Sequence, residues 1–162
     1  MATRSSRIHL SARFLTAAGV LFAIGVIASW LPFVGTIVSF IVFPLGAIAF
    51  AIALFALAAA ISHRIARPAL YIAAAGWVVV GLASFVPFPV PLSLLGAIAA
   101  GAGGLVAAIV SLQNHLLPQR SSVGFLVATI AGALYQLGFV SFTSFAMGVA
   151  LIVTGVLLSR DE

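Results

Sequence analysis

The chain should fold as an all-α, polytopic membrane helical bundle, with six spans arranged as three hairpins. Three observations lead there. Of 162 residues, 64% are hydrophobic and only 6% charged, at a mean hydropathy of +1.35. A soluble domain carries about a quarter of its residues as charges. The apolar residues also fall in runs that match the ~30 Å thickness of a hydrocarbon core. Lastly, the seven arginines and two acids lie at the ends of those runs, and they are too few to cover a water-exposed surface. Nothing between the runs is long enough to fold separately, so residues 1–162 form a single integral membrane domain.

The first hairpin covers about residues 12–62. Residues 1–13 hold Arg4, Arg7 and Arg13 and no acid, and an apolar run follows from Phe14 to Leu31. A basic segment before an apolar run can be a secretion signal. This run is long for one, and SWLPF offers no small-x-small cleavage site, so it reads as a retained first span. No charge occurs from Phe14 to Ser62. As one helix that stretch would reach about 73 Å, so it must fold back. Pro32, Gly35, Pro44 and Gly46 mark where. The second span then runs from Pro44 to Ser62, and Thr36 to Phe43 reads as an interfacial or re-entrant piece.

His63 to Pro68 is a short basic turn. The second hairpin, about 69–112, has spans Ala69–Val86 and Leu92–Leu112, separated by PFPVP at 87–91, which no helix can traverse. A polar turn from Gln113 to Ser122 leads to the third hairpin, about 122–159. Its apolar run, Val123 to Leu158, would be about 54 Å long as one helix. It should divide near Gly138–Ser144, where Ser141, Thr143 and Ser144 interrupt the aliphatic pattern.

The three bends align as SWLPFVG (29–35), SFVPFPV (84–90) and GFVSFTS (138–144), and His63 and His115 occupy similar inner turns. That suggests a weak internal repeat, although Phe-, Pro- and Ser-containing turns resemble one another by chance as well. With six spans all seven arginines fall on one side. Positive residues concentrate in the cytoplasm, so both termini should be cytoplasmic and the protein should lie in the cytoplasmic membrane. The net charge of +5 is thereby explained by orientation, not by nucleic acid. Trp30, Phe33, Phe85, Phe88, Phe139 and Phe142 would form the outer aromatic belt. Arginine to the exclusion of lysine, with abundant Ala, Val and Gly, points to a GC-rich bacterial genome.

The run VGTIVSFIVFPLGAIAFAIALFALAAAISHRIARPALYIAAAGWVVVGLASFV, about residues 34–86, resembles uncharacterised small multi-spanning actinobacterial membrane proteins. Those are built from apolar hairpins joined by short Arg-rich turns. The shared pattern is a PLG, an Ala/Ile/Leu helix and a basic turn, without the glycine that often follows the turn in such proteins. The resemblance implies membrane topology and says nothing of activity.

The chemistry that would mark an enzyme is missing from the sequence. Its carboxylates are Asp161, Glu162 and the terminal group, all beyond the last span. None lies in the membrane to relay protons or pair with a charge, and no acid/base pair exists. There is no cysteine, no G-x-S-x-G, and no acid beside a histidine. Gly101-Ala102-Gly103-Gly104 has no following Lys or Thr and is not a phosphate loop. His9, His63 and His115 share one side but have no metal-site spacing, and they read as polar residues at helix ends. Neither cofactor nor metal is expected.

The most distinctive pattern is a stripe of small residues, Gly96, Ala100, Gly104 and Ala108, in i, i+4 steps. Such stripes let helix backbones approach where lipid supplies no hydrophobic drive. Gly124, Ala128 and Gly132 repeat the spacing and could face the first stripe, as could a second molecule. Tyr135 and Gln136 follow as polar residues that either hold helices together or line a polar path. The leading expectation is a non-catalytic subunit or scaffold, packing against itself as a homo-oligomer or against a larger membrane complex. The alternatives are a small uncoupled channel, carrier or lipid-binding protein and, last, an enzyme or metal-dependent protein using the three histidines.

Overall fold

The computed structural model describes residues 3–31, 34–85, 90–136 and 140–160. They form six helices: α1 (Arg4–Ser29), α2 (Val34–Ala60), α3 (Ala66–Ala83), α4 (Val90–Gln113), α5 (Gln119–Gln136) and α6 (Val140–Arg160). No strand occurs among the described residues. All but α5 are long and apolar enough to cross a membrane. Helix α5 opens on Gln119, Arg120, Ser121 and Ser122, which dilutes its hydropathy. The protein is thus a helical bundle of the membrane type.

Local chemistry sets the helix ends, and several lie outside the apolar runs. Helix α1 starts well before Phe14 because Thr3 caps it: the Thr3 hydroxyl accepts the Ser6 N–H at 3.3 Å, and Ser6 Oγ donates to the Thr3 carbonyl at 2.8 Å. Before α3, the Nδ1 of His63 accepts the N–H groups of Ile65 and Ala66, each at 3.3 Å. A ring nitrogen does there what a Ser or Asp usually does. Helix α4 ends with His115 at φ 50°, while the Leu116 N–H bonds back to the Ser111 carbonyl at 3.1 Å. That six-to-one closure normally places glycine in the left-handed position.

Several expectations about the boundaries are corrected: α3 already begins at Ala66, so Arg67 and Pro68 are helical, and α5 begins at Gln119, inside the expected polar turn. Thr36 to Phe43 is not a separate re-entrant piece, because α2 runs unbroken through Pro44. Proline removes one N–H and crowds the preceding turn, but among packed apolar helices neighbours absorb that defect. Gly81 of α3 lies beside it, where a Cβ would stand 3.3 Å from the Pro44 carbonyl. In the last apolar run the chain does divide into two helices. However, α6 already begins at Val140, so Thr143 and Ser144 are buried helical residues and not part of a bend.

Each helix packs on its sequence neighbours, and α6 returns to pack on α1, closing a six-membered ring. Glycines locate the tightest seams. A Cβ on Gly19 would lie 2.5 Å from the Gly148 carbonyl, and one on Gly148 would lie 2.9 Å from the Gly19 carbonyl, so α1 and α6 touch backbone to backbone. Seven residues further along α6, Gly155 meets Ala12 and Thr16 in the same way. The α3–α4 seam is equally close. A Cβ on Gly103 would approach the Ala73 nitrogen to 2.8 Å and the Ala69 carbonyl to 2.9 Å, and one on Gly76 would reach the Gly96 carbonyl at 2.6 Å. One of these seams joins the first helix to the last, so the first and last helix pairs also pack on each other. Between α1 and α2, Ser11 Oγ donates to the Ala53 carbonyl at 2.9 Å and Arg7 Nη1 to the Ala59 carbonyl at 2.6 Å.

Candidate functional site: an aromatic plug between two vestibules

A ring of six helices leaves an axis that side chains must fill. Here Trp77 of α3, only 3% exposed, does most of it. Its ring meets Phe50 of α2 edge-on at 5.3 Å and Phe22 of α1 at 6.2 Å. Such tilted pairs contribute about 0.5–1.5 kcal/mol each beyond their burial. Across the axis, Gly132 of α5 makes room for the indole: a Cβ there would lie 3.1 Å from Trp77 Cζ2 and 3.3 Å from Met147 Sδ. Phe125, Leu15, Leu54, Leu70 and Leu151 fill the remaining layers, all essentially inaccessible.

Two cavities open at opposite ends of the bundle. One, of about 400 Å³, opens at the end where α1, α3 and α5 finish. Phe43 and Tyr135, whose rings pack at 6.1 Å, help to line it. Ser29, Thr36, Ser84 and Tyr135 bring hydroxyls to it from four helices. Two of those are already engaged, Ser29 Oγ with the Val26 carbonyl at 2.7 Å and Ser84 Oγ with the Val80 carbonyl at 3.4 Å. The other cavity, about 410 Å³, lies at the opposite end among Arg4, Ser5, Ile8, Leu117, Pro118 and Leu158. Beyond Arg4, all the remaining arginines belong to this end: Arg7 and Arg13 in the early turns of α1, Arg64 and Arg67 in the α2–α3 connection, Arg120 opening α5, and Arg160 closing α6.

The small-residue stripe does not form one face. Gly96 and Ala100 meet α3, at Val79 and Gly76, whereas a Cβ on Gly104 would lie 3.1 Å from Thr129 Cγ2 of α5; Ala108 is fully buried. The reason is geometric. An i, i+4 step turns about 400° around a helix, so the row drifts by about 40° each time and swings from one neighbour to the next. Nor does the second row face the first. Gly124 packs against Thr154 of α6, and Gly132 receives Trp77 and Met147. Ala128 is buried. Tyr135 lines the cavity at the end of α5, and the Gln136 side chain lies outside the described residues.

The histidines have separate tasks, His63 capping α3 and His115 turning the chain after α4. Among the described residues no group of three His, Cys, Asp or Glu could hold a metal ion. Sequence reasoning missed the axial role of Trp77, and it missed Ser111 and Ser121. Both of these are buried on either side of the α4–α5 turn, with hydroxyls that find no partner among the described residues. A serine near a helix end carries no sequence signal of burial. Of the proposed aromatic belt, Trp30, Phe85 and Phe142 are exposed at the vestibule end, while Phe33, Phe88 and Phe139 lie outside the described residues. The chain matches no protein-family model, no curated protein and no solved structure.

Proposed function

We propose that the protein is a non-catalytic subunit or scaffold of the cytoplasmic membrane, crossing it six times with both termini inside. It acts through its lateral surface, against itself or a larger membrane complex. The observation that carries this reading is the closed interior. Trp77 and its neighbours fill the axis, buried hydroxyls at Ser11, Thr129 and Thr154 donate to helix carbonyls, and that of Ser122 donates to the Leu117 carbonyl in the α4–α5 connection. The small-residue rows are spent inside the ring, so a partner must meet other residues. The α1–α6 seam supplies them: Trp30 is 76% and Phe142 82% exposed, and with Val26 and Phe145 they frame a notch of about 290 Å³.

An internal repeat of the odd-numbered helices belongs to the same reading. The alternation of buried and exposed positions over residues 11–20 recurs position for position over 121–130. Phe22, Trp77 and Gly132, which meet on the axis, are equally spaced along the chain.

Because the chain has no cysteine, single-cysteine variants test the proposal directly. Phe142→Cys should cross-link in native membranes to a second copy or to one recurrent partner. Ile98→Cys, on the exposed face of α4, should not. Purification as a monomer, with no cross-linking at position 142 above that at 98, would end the scaffold reading. The four hydroxyls at the α1/α2/α3/α5 vestibule favour a second reading, a small uncoupled carrier. Solute flux into liposomes that rises on Trp77→Ala would support it.

A further inference from the structure

We propose that the groove between α3 and α4 binds one phospholipid with an anionic headgroup, its acyl chain in the groove and its phosphate on Arg64. The groove, of about 470 Å³, has an apolar lining, and Arg64 is the one charged residue among those that border it. Its floor follows from the Gly103 seam, where the two backbones touch. Its walls are Ile72 and Val106, which stand out on either side and are both exposed. A helix about 10 Å across would ride on those walls and not enter. A single flexible hydrocarbon chain fits between them.

Charge selects the headgroup. Arg64 is exposed and makes no hydrogen bond or ion pair among the described residues. Both acidic side chains of the sequence, Asp161 and Glu162, lie outside those residues. Arg67 adds positive charge on the same turn, its guanidinium 5.8 Å from the centre of the Tyr71 ring. Basic positions between membrane helices attract anionic headgroups in just this manner. The molecule also holds its own control. A second groove of the same volume, between α5 and α6, is lined by Gly124, Val127, Phe142, Val149 and Val153 among others, with no charged residue. Lipid there would be taken without regard to charge.

The test is native mass spectrometry of the whole chain in detergent, with equimolar phosphatidylglycerol and phosphatidylcholine of identical chains. Wild type should retain one phosphatidylglycerol in preference to phosphatidylcholine. Arg64→Gln should cut that preference by about fivefold, and Arg64→Lys should keep it. Ala102→Leu, which fills the groove from an outward-facing position, should lower occupancy by both lipids without moving the unfolding midpoint. Were A102L to unfold the bundle, Val106→Phe fills the same groove from its wall and should lower occupancy likewise. Val127→Leu in the uncharged groove should leave the preference unchanged. Equal retention of the two lipids by wild type, a preference that survives Arg64→Gln, or displacement of the lipid by inorganic phosphate would each overturn the proposal.

Discussion

The α3–α4 seam can be tested by one pair of substitutions two residues apart on the same helix. Gly101 and Gly103 both lie inside α4, and alanine at either raises helix propensity by about 0.8–1.0 kcal/mol. Their surroundings differ. A Cβ on Gly101 would sit 3.6 Å from the Ala133 Cβ, an ordinary contact, whereas on Gly103 it would fall 2.8 Å from the Ala73 nitrogen. Backbone cannot swing aside as a side-chain tip can, so the helices must part. Overpacking of this kind costs about 1–3 kcal/mol, and lipid offers no compensating hydrophobic gain. Gly101→Ala should therefore stabilise the protein by about 1 kcal/mol. Gly103→Ala should range from neutral to about 2 kcal/mol destabilised, once its propensity gain is set against the clash. Equilibrium unfolding in mixed micelles, followed by far-UV circular dichroism, gives both values, and propensity cancels from their difference. Two variants of equal stability would refute the backbone contact at Gly103.

Further outcomes follow from the axis and the turns. Gly132→Val should destabilise the bundle by about 1–3 kcal/mol through its clash with Trp77, and adding Trp77→Phe should recover part of the loss in the same assay. His63→Ala removes the acceptor for two N–H groups and should cost about 0.5–2 kcal/mol, as other lost helix caps do; His63→Asn should cost less. His115→Gly should raise the unfolding midpoint, because a left-handed residue other than glycine carries roughly 1 kcal/mol of strain.

The sequence is informative wherever composition and breakers govern. Charged turns located the α2–α3 connection to within a few residues, although Ala66 to Pro68 already belong to α3; of PFPVP, Val90 and Pro91 open α4 and the rest lies outside the described residues. The sequence misled at Pro44 because a breaker is judged against solvent, while this proline sits within packed neighbours that absorb the lost hydrogen bond. The stripe is the instructive case. Gly96, Ala100, Gly104 and Ala108 look like one surface in a list of i, i+4 steps. The faces that meet α3 instead pair Gly96 with Gly103, seven residues on, which returns to within about 20° of the starting direction. Tyr135 reaches a cavity as a polar lining residue could, yet nothing in its own neighbourhood names the three helices that complete that lining. For a similar reason Trp77 reads from the sequence only as a packing residue. A tryptophan amid aliphatics becomes a hub only through residues far away in the chain, Phe22, Phe50 and Gly132 among them.

The α1–α6 seam also has a consequence for biosynthesis. Chains emerge from the ribosome N-terminus first, and early segments begin to fold before later ones exist. Gly19 therefore spends nearly the whole of translation without Gly148, its backbone slot open to whatever drifts past in the bilayer. Every other seam joins helices made in succession, but this one must wait for the last of them. A stalled or truncated nascent chain lacking α6 would present that slot permanently. Quality-control machinery within the membrane would then have a feature by which to tell an unfinished molecule from a finished one.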